Sequence, residues 1–232
     1  MDELTEKSTK LIKSLASFDT PTISNAIEKL QIRDRAAGFT SNELICQFPQ
    51  LKSMVGYAVT ATADSTTPGD KRPPQLEQLV KILENPPRPV VLVIKHNGLD
   101  RNRCCLVGDM FTSALTNLGC IGIVTDANAR DRTGITEKTP DFHLFSTGWV
   151  ASHGYPTYIN FNTTVTICGL TISPGDLLHG DHSGLVKIPN QYACLLPEKA
   201  QLVQDEEREY FNFLQNSFSI EGLKTRLRPD KP

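Results

Sequence analysis

The chain has 232 residues, enough for one large domain with a core that needs no covalent staples. A formal net charge of −2 offers no general electrostatic attraction to nucleic acid or to an anionic membrane, so neither is expected as a partner. No apolar run reaches the length of a membrane span, and the charged start MDELTEKSTKLIKSLASF suits neither a secretory signal nor a transit peptide, so a cytoplasmic location is expected. The six cysteines (46, 104, 105, 120, 168 and 194) show no C-x-x-C spacing and read as reduced, mostly buried, small apolar residues.

In chain order, residues 3–17 carry Leu4, Leu11, Ile12 and Leu15 at helical spacing. Asp19-Thr20-Pro21 is a helix start, and Ile23, Ala26, Ile27 and Leu30 form the inward stripe of a helix over 21–30. Residues 31–53 are irregular. Met54–Ala63 reads as a strand running into a loop, with Asp64 and Asp70 expected in solvent. Gln75–Glu84 is an amphipathic helix, and the continuous apolar run Val90–Ile94 is a fully buried strand. Strand, helix and strand in that order make a βαβ unit, so part of the sheet is expected to be parallel.

The stretch Gly108–Asp131, GDMFTSALTNLGCIGIVTDANARD, is the most informative. Gly108 reads as a turn and Asp109 as the N-cap or first residue of a helix with Ala114, Leu115 and Leu118 as its buried stripe. Gly119 suits the left-handed position that ends a helix, and Ile121–Thr125 is a short β-branched strand. Arg130 and Asp131 follow the C-terminal end of that strand, where open α/β sheets place ligands. Free N–H groups from Gly108 to Phe111, Met110 included, would attract an anion. Arg130 offers a fork for a carboxylate, and Asp131 a hard oxygen for Mg²⁺ or Mn²⁺. The spacing is equally that of a capped helix followed by a surface Arg–Asp ion pair, and spacing alone leaves both readings open.

Beyond Asp131, Thr133-Gly134 reads as a loop, His143–Ser146 as a strand, Thr164–Ile172 as a strand or hairpin, Pro174-Gly175-Asp176 as a turn and Gly184–Ile188 as the last strand. His179-Gly-Asp181-His182, read as a turn, is the rival site: two histidines and an acid could bind Zn²⁺, although no distant ligand is evident. Lys95, just after a buried strand, is a candidate Schiff-base lysine. No G-x-S-x-G, G-x-G-x-x-G or Walker loop occurs. The whole reads as one α/β domain over 1–218, with an N-terminal helix within 1–18 and a charged C-terminal helix within 193–216. The tail 219–232 is basic, poorly patterned and expected to be mobile.

The chain resembles the RraA-like family, which joins class II 4-hydroxy-4-methyl-2-oxoglutarate aldolases with the ribonuclease-activity regulator A proteins. The aldolase branch carries an acid, twenty intervening residues, then Arg-Asp, matched here by Asp109, Arg130 and Asp131. Further matches are the segment Leu15–Pro21, GYAVTA at Gly56–Ala61, and GLTISPGDLLHGDHSGLVKIP at Gly169–Pro189. The resemblance covers roughly residues 15–215. Where family members often carry an acid, three residues after the Asp of Arg-Asp, this chain has Gly134.

The resemblance implies a swivelling β/β/α fold of mixed sheet layers flanked by helices, a homotrimer or hexamer, and a divalent ion, Mg²⁺ or Mn²⁺. It implies a lyase that cleaves a 4-hydroxy-2-oxo acid to pyruvate, with oxaloacetate decarboxylation through the same enolate. Asp131 would hold the ion, Arg130 and the N–H groups of Gly108, Asp109, Met110 and Phe111 would bind the small 2-oxo acid, and Asp109 would orient a water or the arginine. The alternative is a non-catalytic regulator that binds ribonuclease E or another protein.

Overall fold

The computed structural model describes residues 3–68 and 74–226, so Asp70 and the last six positions of the expected tail lie outside the described residues. Two helices open the chain, α1 (Glu3–Leu15) and α2 (Thr20–Lys29), the second capped by the Asp19 carboxylate, which accepts from the Thr22 N–H at 2.8 Å. The chain continues through β1 (Ile45–Cys46), β2 (Met54–Asp64), α3 (Pro74–Glu84), β3 (Val90–His96), β4 (Cys105–Val107), α4 (Asp109–Asn117) and β5 (Cys120–Thr125). After these come β6 (Asn128–Ala129), α5 (Arg132–Lys138), β7 (His143–Ser146), β8 (Gly148–Trp149) and β9 (Thr157–Phe161). The C-terminal part holds β10 (Val165–Ile167), β11 (Leu170–Ile172), β12 (Leu177–Asp181), β13 (Gly184–Ile188), α6 (Leu196–Asn216) and α7 (Ile220–Arg226).

The main sheet runs β1-β7-β5-β3-β2-β12-β13, with β9 also paired to β2. Its centre, β7-β5-β3-β2, is parallel, as the βαβ order requires, while β1, β9, β12 and β13 pair antiparallel. This is the expected mixed α/β architecture flanked by helices. A small parallel sheet, β4-β6-β8, lies beside it, and β10-β11 is a hairpin. Strand alternation explains the core. In β3, Val90, Leu92 and Ile94 enter one apolar cluster while Val91 and Val93 enter another, all five fully buried. Each such side chain contributes about 1.5–3 kcal/mol of burial. Among the described residues, no helix is long and apolar enough to cross a membrane.

Several local expectations change. In α4 the stripe is Thr112 and Leu115, flanked by Phe111 and Leu118 packed on the core, whereas Ala114 is exposed. Phe111, Leu115 and Leu118 sit at i, i+4 and i+7, so the helix rolls its larger side chains inward. Thr133-Gly134 is not a loop but the first turn of α5. His179-Gly-Asp181 is not a turn but part of β12: His179 and Gly180 pair on both sides, and Asp181, the last residue, pairs with β13. Asp64 is not solvated: it is 8 % exposed and accepts from the Thr66 and Thr67 N–H groups. Ile220–Arg226 forms a helix despite its weak pattern. The six cysteines are free thiols, Cys194 exposed and Cys46 half-buried.

Candidate functional site

Strand β4 delivers Gly108 to the start of α4, and the connection from β5 through β6 delivers Arg130 and Asp131 to the start of α5. The two chain segments are tied by the Arg130 N–H donating to the Val107 carbonyl at 2.9 Å. Both helix starts therefore open on one place, a cavity of about 360 Å³. Gly108, Asp109, Met110, Phe111, Arg130 and Asp131, the six residues singled out in the sequence, all line it. Its volume is at the small end of ligand pockets.

Gly108 is needed for space rather than for its backbone angle, since its φ of −145° is open to any residue. A Cβ there would lie 2.9 Å from Asp131 Oδ2 and 3.4 Å from Arg130 Nε. Asp131 caps α5 in the left-handed region, φ 61° and ψ 41°, and its carbonyl accepts from the Ile135 N–H at 2.9 Å. Aspartate tolerates that region better than most residues, but such strain persists only where the surroundings enforce it, and it gathers at functional sites. The Arg130–Asp131 ion pair does form, Nε to Oδ2 at 2.9 Å, with each side chain about a third exposed. It forms on the pocket wall and uses only Nε, so the terminal fork of Arg130 and Asp131 Oδ1 have no hydrogen-bond partner among the described residues.

Of the two partners expected for Asp109, a water or Arg130, the arginine is not hydrogen-bonded to it; Met110 and Lys138 are. Asp109 Oδ1 accepts from the Met110 N–H at 2.7 Å, which takes one N–H group from the expected anion mouth. Its Oδ2 pairs with Lys138 of α5. The lysine hydrogen bond, with the Met110 N–H behind it, holds the Asp109 carboxyl below its ordinary range against partial desolvation. This pairing explains Gly134: a Cβ there would meet Asp109 Oδ2 at 2.5 Å. The space beside Gly134 is filled by the carboxylate of Asp109.

Sequence reasoning missed Lys138, Leu76, Cys105, His153, Pro156 and Tyr158. All but Lys138 line the cavity. Tyr158 packs on Phe111 at 6.2 Å between ring centroids, and burial pushes its phenol up, so it stays protonated. Lys138 had a local signal, lying seven residues after Asp131 and so on the same face of a helix. The pocket-lining residues from α3 and β9 had none.

The other candidates are placed elsewhere. Lys95 is ion-paired with Asp126, which is almost wholly buried and also accepts from the His96 N–H at 2.8 Å; a paired ammonium is no nucleophile. His179 is fully buried, its ring nitrogens held by the Thr20 hydroxyl at 2.9 Å and the Leu15 carbonyl at 3.2 Å. Asp181 accepts from the Thr20 and Ser183 N–H groups, both at 2.7 Å. His182 is exposed, so the three residues do not converge on an ion.

The RraA-like family profile, described as Aldolase/RraA, matches residues 20–187. The chain belongs to the RraA-like family. A protein of Halalkalibacterium halodurans named as a putative 4-hydroxy-4-methyl-2-oxoglutarate aldolase is 29 % identical over 200 residues, 84 % of this chain and 90 % of that protein. Protein DlpA of Legionella pneumophila is 26 % identical over 182 residues, 78 % of this chain but only 28 % of DlpA, so the match is to a part of that larger protein. An uncharacterized protein from Pseudomonas syringae pv. tomato superposes with a TM-score of 0.70 at 25 % identity, covering 93 % of this chain and 97 % of that one. The fold shared with that protein thus extends over nearly the full length of this chain.

Proposed function

We propose that this RraA-like chain is a divalent-metal-dependent lyase, an aldolase that cleaves a 4-hydroxy-2-oxo acid to pyruvate and also decarboxylates oxaloacetate. The observation that carries the reading is the meeting of the Gly108 mouth, the open fork of Arg130 and the strained, half-open Asp131 in one small cavity. Asp131 fits a hard cation: it presents an uncommitted carboxylate oxygen at a pocket wall, and Mg²⁺ or Mn²⁺ would keep water in its remaining positions. When bound, the ion supplies Lewis-acid polarisation of the 2-oxo group.

The chain's own groups do the rest. The terminal fork of Arg130 takes the substrate carboxylate in a bidentate grip, and the remaining N–H groups at the start of α4 add to it. As the carbon–carbon bond breaks, the electron pair moves onto the pyruvyl half, and Arg130 opposes the growing negative charge. The 4-hydroxyl gives up its proton as the departing carbonyl forms. Asp109, kept ionised by Lys138, holds a water at the mouth to accept that proton, and the enolate is then protonated at carbon 3. Assembly into a trimer or hexamer belongs to the same reading, with loops of a second subunit reading the distal half of the substrate.

The test is a panel of 4-hydroxy-2-oxo acids and oxaloacetate, assayed for pyruvate with Mg²⁺, with Mn²⁺ and with EDTA, alongside sizing of the protein in solution. Metal-dependent pyruvate from at least one substrate is expected. Absence of pyruvate from every substrate, together with inhibition of ribonuclease E, would transfer the chain to the regulator branch.

A further inference from the structure

Asp64, His96 and Cys104 meet behind the wall that carries Gly108. They are the last residue of β2, the last residue of β3 and the residue preceding β4. A carboxylate oxygen, a ring nitrogen and the thiol sulfur lie within 4.8 Å of one another. Each residue is more than nine-tenths buried, at 8 %, 7 % and 0 % exposure. Nothing in the lyase reading uses them.

Two of the three are satisfied. Asp64 Oδ1 accepts from the Thr66 N–H at 2.8 Å and hydroxyl at 2.6 Å, and Oδ2 from the Thr67 N–H at 3.2 Å. All three bonds come from donors, which fits the carboxylate form. Cys104 Sγ accepts from the Ser65 hydroxyl at 3.1 Å. His96 is not satisfied. Its Nε2 accepts from the Gly98 N–H at 3.2 Å, which puts the proton of a neutral ring on Nδ1. Nδ1 has no partner, and among the described residues it is the one buried side-chain nitrogen or oxygen left so. A buried imidazole with one nitrogen unpartnered, clustered with a buried carboxylate and a buried thiol, is the donor set of a transition-metal site.

We propose that Asp64, His96 and Cys104 bind one Zn²⁺ ion at a site distinct from the Asp131 position. Thiolate and imidazole select a borderline-soft ion over Mg²⁺, which seeks oxygen. With zinc bond lengths near 2.0–2.3 Å, neighbouring ligand atoms of a tetrahedral site stand roughly 3.4–3.6 Å apart, so a trio already within 4.8 Å draws in by at most about 1.4 Å on binding. The Cys104 thiol releases its proton to solvent as the sulfur–metal bond forms. One ring nitrogen of the neutral His96 coordinates and the other keeps the proton. The Ser65 hydroxyl keeps its bond to the sulfur and supports the thiolate. Water completes the fourth position. The ion ties the ends of β2 and β3 to β4, and β4 leads straight into Gly108, so it stiffens one wall of the substrate pocket.

The test uses full-length protein stripped with a chelator under reducing conditions and titrated with Co²⁺. Expected are one tight equivalent with thiolate-to-cobalt charge-transfer absorption in the near ultraviolet, displacement by stoichiometric Zn²⁺ but not by excess Mg²⁺, and a raised Tm. The absorption should vanish in Cys104→Ser, weaken in His96→Gln and persist in Asp131→Ala, which separates this site from the proposed lyase site whatever the activity assays return. Absence of thiolate absorption in the wild type overturns the proposal even if the variants fail to fold, and so does its persistence in folded Cys104→Ser.

Discussion

Two short polar stretches in this chain look alike on paper and end in opposite circumstances. Arg130-Asp131 and His179-Gly-Asp181 each put a cationic or basic group next to a carboxylate in a glycine-bearing neighbourhood. The first lies on a connection between a parallel strand and a helix, a third exposed, with one carboxylate oxygen and the guanidinium fork uncommitted at a cavity. The second lies in mid-sheet on β12 and is consumed by the junction between α1 and α2: Thr20 and Leu15 engage both histidine nitrogens, and Thr20 and Ser183 engage the aspartate. The difference is unused valence. A group whose hydrogen-bonding capacity is spent on the fold holds the molecule together, and a group with capacity left over, facing a cavity, is available to a ligand.

The contrast can be broken most forcefully at the first stretch. Arg130→Ala and Asp131→Asn should each lower kcat/KM for pyruvate release by about 10²- to 10³-fold while leaving the Tm close to that of the wild type, asparagine being tolerated in the left-handed region that position 131 occupies. His179→Ala should do the reverse, costing about 1–3 kcal/mol in a urea titration by stranding the Thr20 hydroxyl and Leu15 carbonyl, with kcat unchanged. A variant at position 179 that kills activity in folded protein would erase the distinction. Gly108→Ala is milder: its backbone angle suits alanine, but the new methyl presses on Asp131 and Arg130, and about a tenfold loss in kcat/KM without loss of stability is expected.

Smaller effects sharpen the comparison further. Lys138→Met should reduce the rate a few-fold. Because the lysine holds the Asp109 carboxyl down, its removal should also move the acidic limb of the pH–rate profile to higher pH. The smallest effect concerns His143 on β7, whose folded pKa burial lowers to about 4 from 6.5. The unfolded chain takes up that proton first, so the stability this residue contributes is complete above pH 6.5 and is lost as the pH falls towards 4. His143→Gln should flatten the fall of the urea midpoint across that window.

How far these outcomes could be read from the chain depends on the range of the interactions. The βαβ order, the buried run at β3 and the Gly119 helix stop are local patterns and fold as they read. The gathering of Gly108 through Asp131 at one pocket was legible because strand ends place such residues. The start of α5 was not, because a helix that opens on a left-handed Asp131 and carries Gly134 in its first turn has poor intrinsic propensity; the buried Ile135 and the Lys138–Asp109 pair hold it. The body of β12 was not legible either, since Thr20, which engages both His179 and Asp181, lies about 160 residues away. The trio Asp64, His96 and Cys104 is likewise spread over three segments, and no spacing rule could join it.

The most direct measurement is calorimetric binding of oxalate, a planar two-carboxylate mimic of the pyruvate enolate, to wild-type protein and to the Arg130→Ala and Asp131→Ala variants, with and without Mn²⁺. Binding that requires Mn²⁺ in the wild type and is lost in both variants is the expected result. Oxalate bound equally well without the ion, or by folded Asp131→Ala, would contradict the reading of Gly108, Arg130 and Asp131 as one site.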